Sequence, residues 1–256
     1  MVYFVGAGPG DPDLITVKGK RKVDEADVII YAGSLVNPQV MADRKKECQV
    51  FNSAYMTLEE VLDVMKKAEE EGKTTVRLHT GDPCLYGAIQ EQMDALDALG
   101  ISYEVCPGVS SFCGAAAALQ LEYTLPSISQ SVVITRMAGR TPVPERESIR
   151  SLAQHQTTMV LFLSAGLLEE MEEELKEAGY RSDTPAAIVY KATWPEEKAV
   201  RCTVSTLKET AEREGIRKTA MILIGDVLGT REENGYADSR LYAPDFTTGF
   251  RKGTDA

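Results

Sequence analysis

The sequence has few of the residues that form metal centres and disulfide frameworks. It contains five cysteines and two histidines in 256 residues, and no two cysteines are spaced C-x-x-C. We therefore expect neither a structural zinc site nor any other bound metal. An odd number of scattered cysteines in an acidic chain fits reduced thiols, so we expect a cytoplasmic protein.

The chain also lacks long apolar runs and any excess of positive charge. Its apolar stretches fall far short of the roughly 20 residues of a membrane-spanning helix. Residues 1–6 have no basic region and no small-residue cleavage site, so we interpret them as a first strand rather than a signal peptide. The net charge is −11, which opposes general binding to a nucleic-acid backbone. We expect no membrane partner and no nucleic-acid partner.

The first half of the chain alternates between β-type and helical patterns. With 43% hydrophobic residues it can build a real core. The clearest helix is predicted over Thr57–Glu71, where Thr57 and Glu60 can form a capping box. This alternation predicts an α/β fold with a mostly parallel sheet and helices on both faces.

The second half has longer β-type runs and predicts a second α/β lobe with a mixed sheet. We place a boundary near residues 119–127. The predicted domains are an N-terminal lobe (1–119), a C-terminal lobe (120–230) and a polar tail (231–256) whose order is left open. The predicted strands of the second lobe are Ser131–Arg136, Thr158–Ser164, Pro185–Tyr190 and Ala220–Ile224, and its predicted helices are Glu145–Gln154, Leu167–Ala178 and Thr206–Glu214.

Three loops rich in glycine and proline each follow a predicted strand of the first lobe, over residues 6–12, 80–87 and 107–112. Ligands of open α/β sheets bind at the carboxyl ends of the strands, so the three loops predict one shared site. The first loop is not a dinucleotide fingerprint, because Asp11 stands where the third glycine belongs. A P-loop is excluded because no Gly-Lys-Ser/Thr follows.

These loops carry a family resemblance. GAGPGDPDLIT at 6–16, HTGDPCLYG at 79–87 and VCPGVSS at 105–111 resemble the motifs of the tetrapyrrole methylase family. The resemblance covers roughly residues 2–229. It implies an S-adenosylmethionine-dependent methyltransferase with two α/β lobes, the cofactor in the cleft between them, and a homodimer.

Three further segments, YAGSLV at 31–36, TRMAGRTPVPE at 135–145 and VYKATWP at 189–195, are similar to the branch of the family that methylates C-11. That branch implies a precorrin-4 or cobalt-precorrin-4 substrate, in the synthesis of the corrin ring of cobalamin. Ala32 stands where the uroporphyrinogen branch has an aspartate, which disfavours that substrate. Whether the substrate holds cobalt is left open, with a preference for the cobalt form.

The resemblance also implies roles for particular residues. It gives no general base, since methyl transfer from a sulfonium needs positioning more than acid–base chemistry, and the catalytic residues are left unknown. His79 is interpreted as structural. The implied cofactor-binding residues are Pro9, Thr80, Gly81, Asp82, Leu85, Ser110 and Ser111 from the first lobe's loops, and Leu163, Ala192, Ala220 and Met221 around the adenine.

A substrate rich in carboxylates needs local cations in a protein of net negative charge, and arginine forms the better carboxylate fork. Arg136, Arg140 and Lys191 lie in the segments typical of the C-11 branch, so we interpret them as substrate-binding. Tyr31 and Trp194 are candidates for aromatic walls around the macrocycle.

Three alternatives stay open at this point. The first is another precorrin methyltransferase of the same fold, acting at C-20 or C-17. The second, a dinucleotide-dependent oxidoreductase, depends only on the first glycine loop, and Pro9 and Asp11 argue against it. The third is a non-catalytic tetrapyrrole carrier, which would bind a tetrapyrrole without S-adenosylmethionine.

Overall fold

The structure is a computed structural model that describes residues 1–229 and 235–254. The chain divides into two compact units. Unit 1 consists of Met1–Leu119 together with Val189–Ala199, and unit 2 of Gln120–Ile188 with the chain from Val200 onward. The sequence-based division placed 120–230 in one lobe, whereas the contacts of 189–199 group this segment with unit 1.

Unit 1 contains a five-stranded sheet in the order β3-β2-β4-β1-β5. Every neighbouring pair is parallel, as the alternation of strands and helices predicted. The strands are β1 (Val2–Gly6), β2 (Val28–Tyr31), β3 (Gln49–Asn52), β4 (Thr75–His79) and β5 (Tyr103–Cys106), and the helices are α1 (Val17–Glu25), α2 (Leu58–Glu70), α3 (Gln90–Leu99) and α4 (Ser111–Leu119).

Both faces of this sheet are buried. Along β1, Val2 and Phe4 belong to one apolar cluster and Val5 to another. Because side chains alternate between the two faces of a strand, the two clusters lie on opposite sides of the sheet. With both faces covered, the end of the sheet at which the strands' carboxyl termini lie is the part from which the loops extend.

The start of α2 shows how the local sequence sets an element boundary. The Thr57 hydroxyl accepts from the Glu60 N–H at 3.3 Å, and the Glu60 carboxylate accepts from the Thr57 N–H at 2.7 Å. Two N–H groups that the helix cannot satisfy internally thus gain partners. The predicted capping box is confirmed.

Unit 2 contributes to a second five-stranded sheet in the order β6-β7-β10-β8-β9. Strands β6 and β7 are parallel, whereas β7 and β10 are antiparallel, so the sheet is mixed as predicted. The strands are β6 (Val132–Arg136), β7 (Thr158–Phe162), β8 (Pro185–Tyr190), β9 (Lys198–Thr203) and β10 (Ala220–Ile224), and the helices are α5 (Ile149–Leu152), α6 (Leu168–Glu177) and α7 (Leu207–Glu214).

Two predictions for the second half were wrong in detail. Strand β9 was not predicted, because its sequence KAVRCT is half polar and its strand lies at the sheet edge. The helix predicted over Glu145–Gln154 is interrupted at Ser148, whose backbone is extended and whose hydroxyl caps α5. Short 3-10 turns flank α5 on both sides.

Part of the polar tail is described. Residues 235–254 contain a 3-10 turn at Arg240–Tyr242, and the guanidinium of Arg251 donates to the carbonyls of Ala243 and Leu241. The remainder of the predicted tail, 231–234 and 255–256, lies outside the described residues. Within residues 1–229 and 235–254, no helix combines the length and apolarity needed to cross a membrane.

Candidate active site

The three glycine-rich loops of unit 1 follow β1, β4 and β5, which are neighbours in the sheet. The first and second loops are joined by backbone hydrogen bonds. The Gly81 N–H donates to the Gly8 carbonyl at 2.8 Å, and the Gly8 N–H donates to the Gly81 carbonyl at 3.3 Å. The loops therefore form one backbone surface at the sheet edge.

Glycine is required where these loops meet. A Cβ on Gly6 would lie 2.5 Å from the Gly81 carbonyl oxygen and 2.6 Å from the Cα of Gly108, which no side chain tolerates. Gly81 also has φ of +60°, in the left-handed region that favours glycine. The three loops can approach one another only because these positions carry no side chain.

Asp82 joins the second loop to the third. Its Oδ1 accepts from the Cys84 N–H at 2.8 Å and its Oδ2 accepts from the Gly108 N–H at 2.9 Å. Burial alone would raise the pKa of this carboxyl, but the hydrogen bonds from Cys84 and Gly108 outweigh burial and lower the pKa below its usual range. An ionised carboxylate with two N–H donors holds loop geometry, so Asp82 is ill suited to act as a base.

Ser110 supplies an unsatisfied polar atom beside the second loop. Its hydroxyl oxygen is buried and has no hydrogen-bond partner among the described residues. A Cβ built on Gly81 would lie 3.4 Å from the Cα of Ser110 and 3.3 Å from the Ser111 nitrogen. A buried hydroxyl without a partner is costly, and a polar ligand at this edge would satisfy it. The structure thus brings together the predicted residues Gly81, Ser110 and Ser111.

His79, the last residue of β4, is buried in the core. Its ring centroid lies 6.2 Å from that of Phe4. Burial, with a smaller contribution from the Arg77 charge, lowers its pKa to about 3. The imidazole is therefore neutral near pH 7, which agrees with a structural role.

The other predicted cofactor residues of unit 1 lie in or beside the same loops. Pro9 and Ala192 are buried, whereas Thr80 and Leu85 are half-buried. The carbonyl of Pro9 accepts from the indole N–H of Trp194 at 3.0 Å. Pro9 has no N–H, so it cannot donate a backbone hydrogen bond to a ligand.

Three predicted residues belong to unit 2. Leu163 follows β7 with φ of +54° and is 71% exposed, unusual for a leucine. Ala220 and Met221 are buried at the start of β10. The antiparallel pairing of Ile222 with Leu161 puts Met221 opposite Phe162, next to Leu163. These three residues therefore lie at one end of the β7–β10 pair.

The two arginines of unit 2 differ in their surroundings. The guanidinium of Arg136 donates to the carbonyls of Met137 and Thr141, both at 3.1 Å, and to that of Pro142 at 2.8 Å. Three of its five N–H donors are thus used within its own loop. Arg140, on the same loop, is exposed and has no ion pair or hydrogen bond within the described part of the chain. The sequence did not distinguish the two.

Lys191 and Tyr31, the other predicted substrate residues, belong to unit 1. The Lys191 Nζ lies 3.4 Å from a Glu196 carboxylate oxygen and 5.1 Å from the centre of a Trp194 ring. Tyr31 is the half-buried last residue of β2. Both lie where a strand ends. In the described ranges, 1–229 and 235–254, no cluster of three or more histidine, cysteine or acidic side chains could hold a metal ion.

Sequence reasoning missed two positioning contacts. Ser164 is fully buried, accepts from the Met137 N–H at 2.8 Å and donates to the Phe162 carbonyl at 2.7 Å. It thereby joins the ends of β6 and β7. Trp194 was considered only as a wall of the substrate site, although it contacts the first glycine loop. Neither contact has a local sequence signal, because each joins residues far apart in the chain.

Comparison with known proteins agrees with this geometry. The profile of the family Tetrapyrrole (Corrin/Porphyrin) Methylases matches residues 1–208. A cobalt-precorrin-4 C(11)-methyltransferase of Methanocaldococcus jannaschii is 53% identical over 98% of this chain and 96% of its own. A precorrin-4 C(11)-methyltransferase of Pseudomonas aeruginosa is 44% identical over 98% of this chain and 99% of its own.

Two solved structures of methyltransferases are also similar to this chain. The structure of a cobalt precorrin-4 methyltransferase matches with a TM-score of 0.88 and 50% identity, over 90% of this chain and 96% of that one. A uroporphyrin-III C-methyltransferase from Thermus thermophilus, complexed with S-adenosylhomocysteine, matches with a TM-score of 0.73 and 28% identity, over 89% of this chain and 93% of that one.

The paired glycine loops on a parallel sheet, together with a profile match over most of the chain, define the class: this chain belongs to the tetrapyrrole methylase family. Within the family, the relatives that are 53% and 44% identical to this chain are named C(11)-methyltransferases of cobalt-precorrin-4 and of precorrin-4.

Proposed function

We propose that the protein transfers a methyl group from S-adenosylmethionine to C-11 of precorrin-4 or cobalt-precorrin-4. The observation that carries this proposal is the joined glycine loops beside the unsatisfied Ser110 hydroxyl, in a chain about half identical to enzymes of that name. The cobalt form is favoured, because the relative that acts on it is 53% identical and the metal-free counterpart 44%.

The residues of unit 1 fit this cofactor. Ser110 offers a hydroxyl that lacks a partner, Gly81 leaves room for a close approach, and Asp82 keeps the second and third loops at a fixed spacing. We assign Pro9, Thr80, Leu85, Ser111 and Ala192 to the same site by their place in these loops. From unit 2 we assign Leu163, Ala220 and Met221 as apolar contacts of the adenine.

When bound, S-adenosylmethionine supplies a methyl group already activated by its sulfonium. The leaving thioether needs no proton, so the protein's part is to orient the accepting carbon and exclude water. We infer that the joined backbone loops do this. Asp82 accepts backbone hydrogen bonds, and the buried imidazole of His79 is neutral near pH 7. We therefore assign a proton-transfer role to neither residue.

The substrate side of the proposal depends on cations. We assign Arg140 as a direct partner of a substrate carboxylate, since it is exposed and unpaired in the described chain. Lys191 is a second candidate, its ammonium held over the Trp194 ring, and Tyr31 a candidate wall. Arg136 instead holds the loop that carries Arg140.

We further propose that the protein is cytoplasmic and a homodimer. The odd number of cysteines, with none described as paired, supports a reducing compartment. The dimer is an expectation from the family resemblance. Light scattering at micromolar concentration tests it, and a monomer would contradict it.

The decisive experiment is turnover. The purified protein is incubated with methyl-labelled S-adenosylmethionine and either precorrin-4 or its cobalt complex, and NMR locates the new methyl. We expect labelling at C-11, faster with the cobalt complex. Labelling at C-20 or C-17 would assign the protein to another branch of the family. Binding of tetrapyrrole without any methyl transfer would indicate a carrier.

A further inference from the structure

Residues 191–197 are hydrogen-bonded to the first glycine loop. The Trp194 indole N–H donates to the Pro9 carbonyl at 3.0 Å, and the Thr193 hydroxyl accepts from the Asp11 N–H at 2.9 Å. These residues are more than 180 positions apart in sequence, yet both contacts lie within unit 1. We call residues 191–197 the latch.

The latch is itself held in a fixed and strained shape. The Thr193 N–H donates to the Glu197 carboxylate at 2.6 Å, and the Trp194 N–H donates to the Lys191 carbonyl at 3.0 Å. Lys191 and Thr193 have φ of +46° and +68°, in the left-handed region that a β-branched residue such as threonine rarely enters. Strain of this kind persists only where surrounding contacts enforce it.

Gly10 is a glycine because of Trp194. Its φ lies outside the left-handed region, so its backbone would accept another residue, but a Cβ at this position would overlap the five-membered ring of the indole. The carbonyl of Gly10 is held from another side by the Asn37 amide at 2.8 Å. Packing against the latch, rather than the turn, therefore determines the residue at position 10.

The first glycine loop, which the latch contacts, also pairs with the second glycine loop. Gly8 is joined to Gly81 by two backbone hydrogen bonds, and Gly81 adjoins the backbone of Ser110, whose hydroxyl has no partner among the described residues. Displacement of Pro9 or Asp11 would therefore move Gly8 and alter the surface that the loops present. The latch is remote in sequence from the glycine motifs but acts directly on their geometry.

We propose that the latch fixes the first glycine loop in the conformation that binds S-adenosylmethionine, and that Trp194 is a positioning residue for this cofactor. This proposal rests on the proposed function. It assigns Thr193 the same role through Asp11 and makes Gly10 and Trp194 an interdependent pair.

The first test makes two measurements on the full-length protein. Calorimetry gives the affinity for S-adenosylhomocysteine, and thermal unfolding gives the stability. Trp194→Phe keeps an aromatic ring but removes the N–H donor, and Thr193→Val keeps the branched shape but removes the acceptor. Each is expected to raise the Kd about tenfold, as loss of one partly buried hydrogen bond that holds a binding loop can. The matched control is Tyr103→Phe, which removes a hydroxyl bonded to Asp97 in the same unit. Its Kd should be unchanged, and all three variants should remain folded at the temperature of the calorimetry.

The second test uses the predicted interdependence. Gly10→Ala should raise the Kd about tenfold or more in the presence of Trp194, and by less than about twofold when combined with Trp194→Ala, because the added methyl then meets no indole. Equal effects of Gly10→Ala in both backgrounds would overturn the proposal. Unchanged affinity in both Trp194→Phe and Thr193→Val would also overturn it, as would latch variants that unfold at room temperature. If the wild-type protein itself binds no S-adenosylhomocysteine, the proposed function fails together with the latch.

Discussion

Asp82 is a single side chain whose two oxygens serve two loops. Each oxygen accepts one backbone N–H, from Cys84 on the second loop and from Gly108 on the third. The carboxylate is suited to this position because it has only acceptors. The residue that the family resemblance gives as cofactor-binding is here a structural link between two loops.

Asp82→Asn should therefore weaken the protein at neutral pH. An amide can accept only through its oxygen, so one of the two N–H groups would face an NH₂, at a cost of about 1.5 kcal/mol or more. Because the folded pKa of Asp82 is lowered, its contribution is present above the unfolded value and is lost as the pH falls below about 4. Urea unfolding at pH 7 and at pH 3.5 should show the gap from wild type shrinking in acid. Asp63→Asn, on the exposed face of α2, is the control.

His79 should make stability depend on pH in a different window. Its folded pKa of about 3 lies below its ordinary value of 6.5 because burial disfavours the imidazolium. The unfolded chain therefore binds the proton first, and stability falls by about 1.4 kcal/mol per pH unit as the pH drops below 6.5. His79→Phe should remove this component in urea unfolding between pH 7 and pH 5, with His155→Gln as the matched control. Parallel curves for wild type and His79→Phe would show that the imidazole does not resist protonation.

Among the elements, the loop at 137–142 shows how one cation can position another. Arg136 binds three carbonyls of the loop, and the buried hydroxyl of Ser164 holds its first residue, Met137. The loop presents Arg140 to solvent. The two arginines that the sequence treated as equivalent therefore have distinct surroundings, and we propose distinct roles for them.

Arg140→Ala should raise the KM for the tetrapyrrole about tenfold, because a charge-assisted hydrogen bond contributes roughly 1.5–3 kcal/mol. Arg140→Lys should recover only part, since an ammonium cannot form the planar fork. Arg136→Ala should instead loosen the loop, seen as faster amide exchange over 137–142, with a smaller and indirect rise in KM. Arg146→Ala, a highly exposed neighbour, should leave both measurements unchanged. A larger KM effect at Arg136 without faster exchange would reverse the assignment.

Elements with a strong local signal could be predicted from the sequence. The bounds of β8 and β10 agree with the predicted runs, because each is a short apolar run between polar residues, of strand length rather than helix length. Strand β9 could not be predicted, since an edge strand half exposed to solvent needs no apolar pattern. The helix over 145–154 failed because Ser148 prefers to cap a new helix rather than continue an old one.

The candidate site shows the same division. The glycine loops were found because each follows a strand and so must meet the others at the sheet edge. Two sets of hydrogen bonds could not be predicted, because they depend on distances in the folded chain. They are the bond from Trp194 to the Pro9 carbonyl and the bonds from Arg136 to the carbonyls of its own loop. Sequence pattern located the loops that meet at the carboxyl ends of the strands, while packing determined which of their neighbouring side chains are already hydrogen-bonded.

For the whole molecule, the dominant electrostatic fact is a net charge of −11. The proposed substrate carries several carboxylates, so its approach is opposed by the overall field and favoured only near local cations such as Arg140. Short-range attraction must therefore offset long-range repulsion.

This balance predicts a salt dependence that differs between variants. Raising the ionic strength from about 0.05 M to about 0.5 M shortens the Debye length from over 10 Å to a few ångströms, weakening exposed ion pairs. The wild-type KM for the tetrapyrrole should rise more than that of Arg140→Ala, which has already lost the pair. Steady-state kinetics in graded sodium chloride measures this. Equal salt slopes would place the cation elsewhere, with Lys191 as the next candidate.

The membership of residues 189–199 in unit 1 has a consequence for synthesis of the chain. Strand β1 lies between β4 and β5, so its sheet cannot close until residue 106 has emerged, and the latch arrives more than 80 residues later. At a synthesis rate of about 5–20 residues per second, the latch is synthesised several seconds after β5. During that time the first glycine loop lacks its hydrogen bonds to Thr193 and Trp194. Completion of the nascent N-terminal unit therefore depends on the chain that follows it, so the order of translation and the order of assembly differ in this protein.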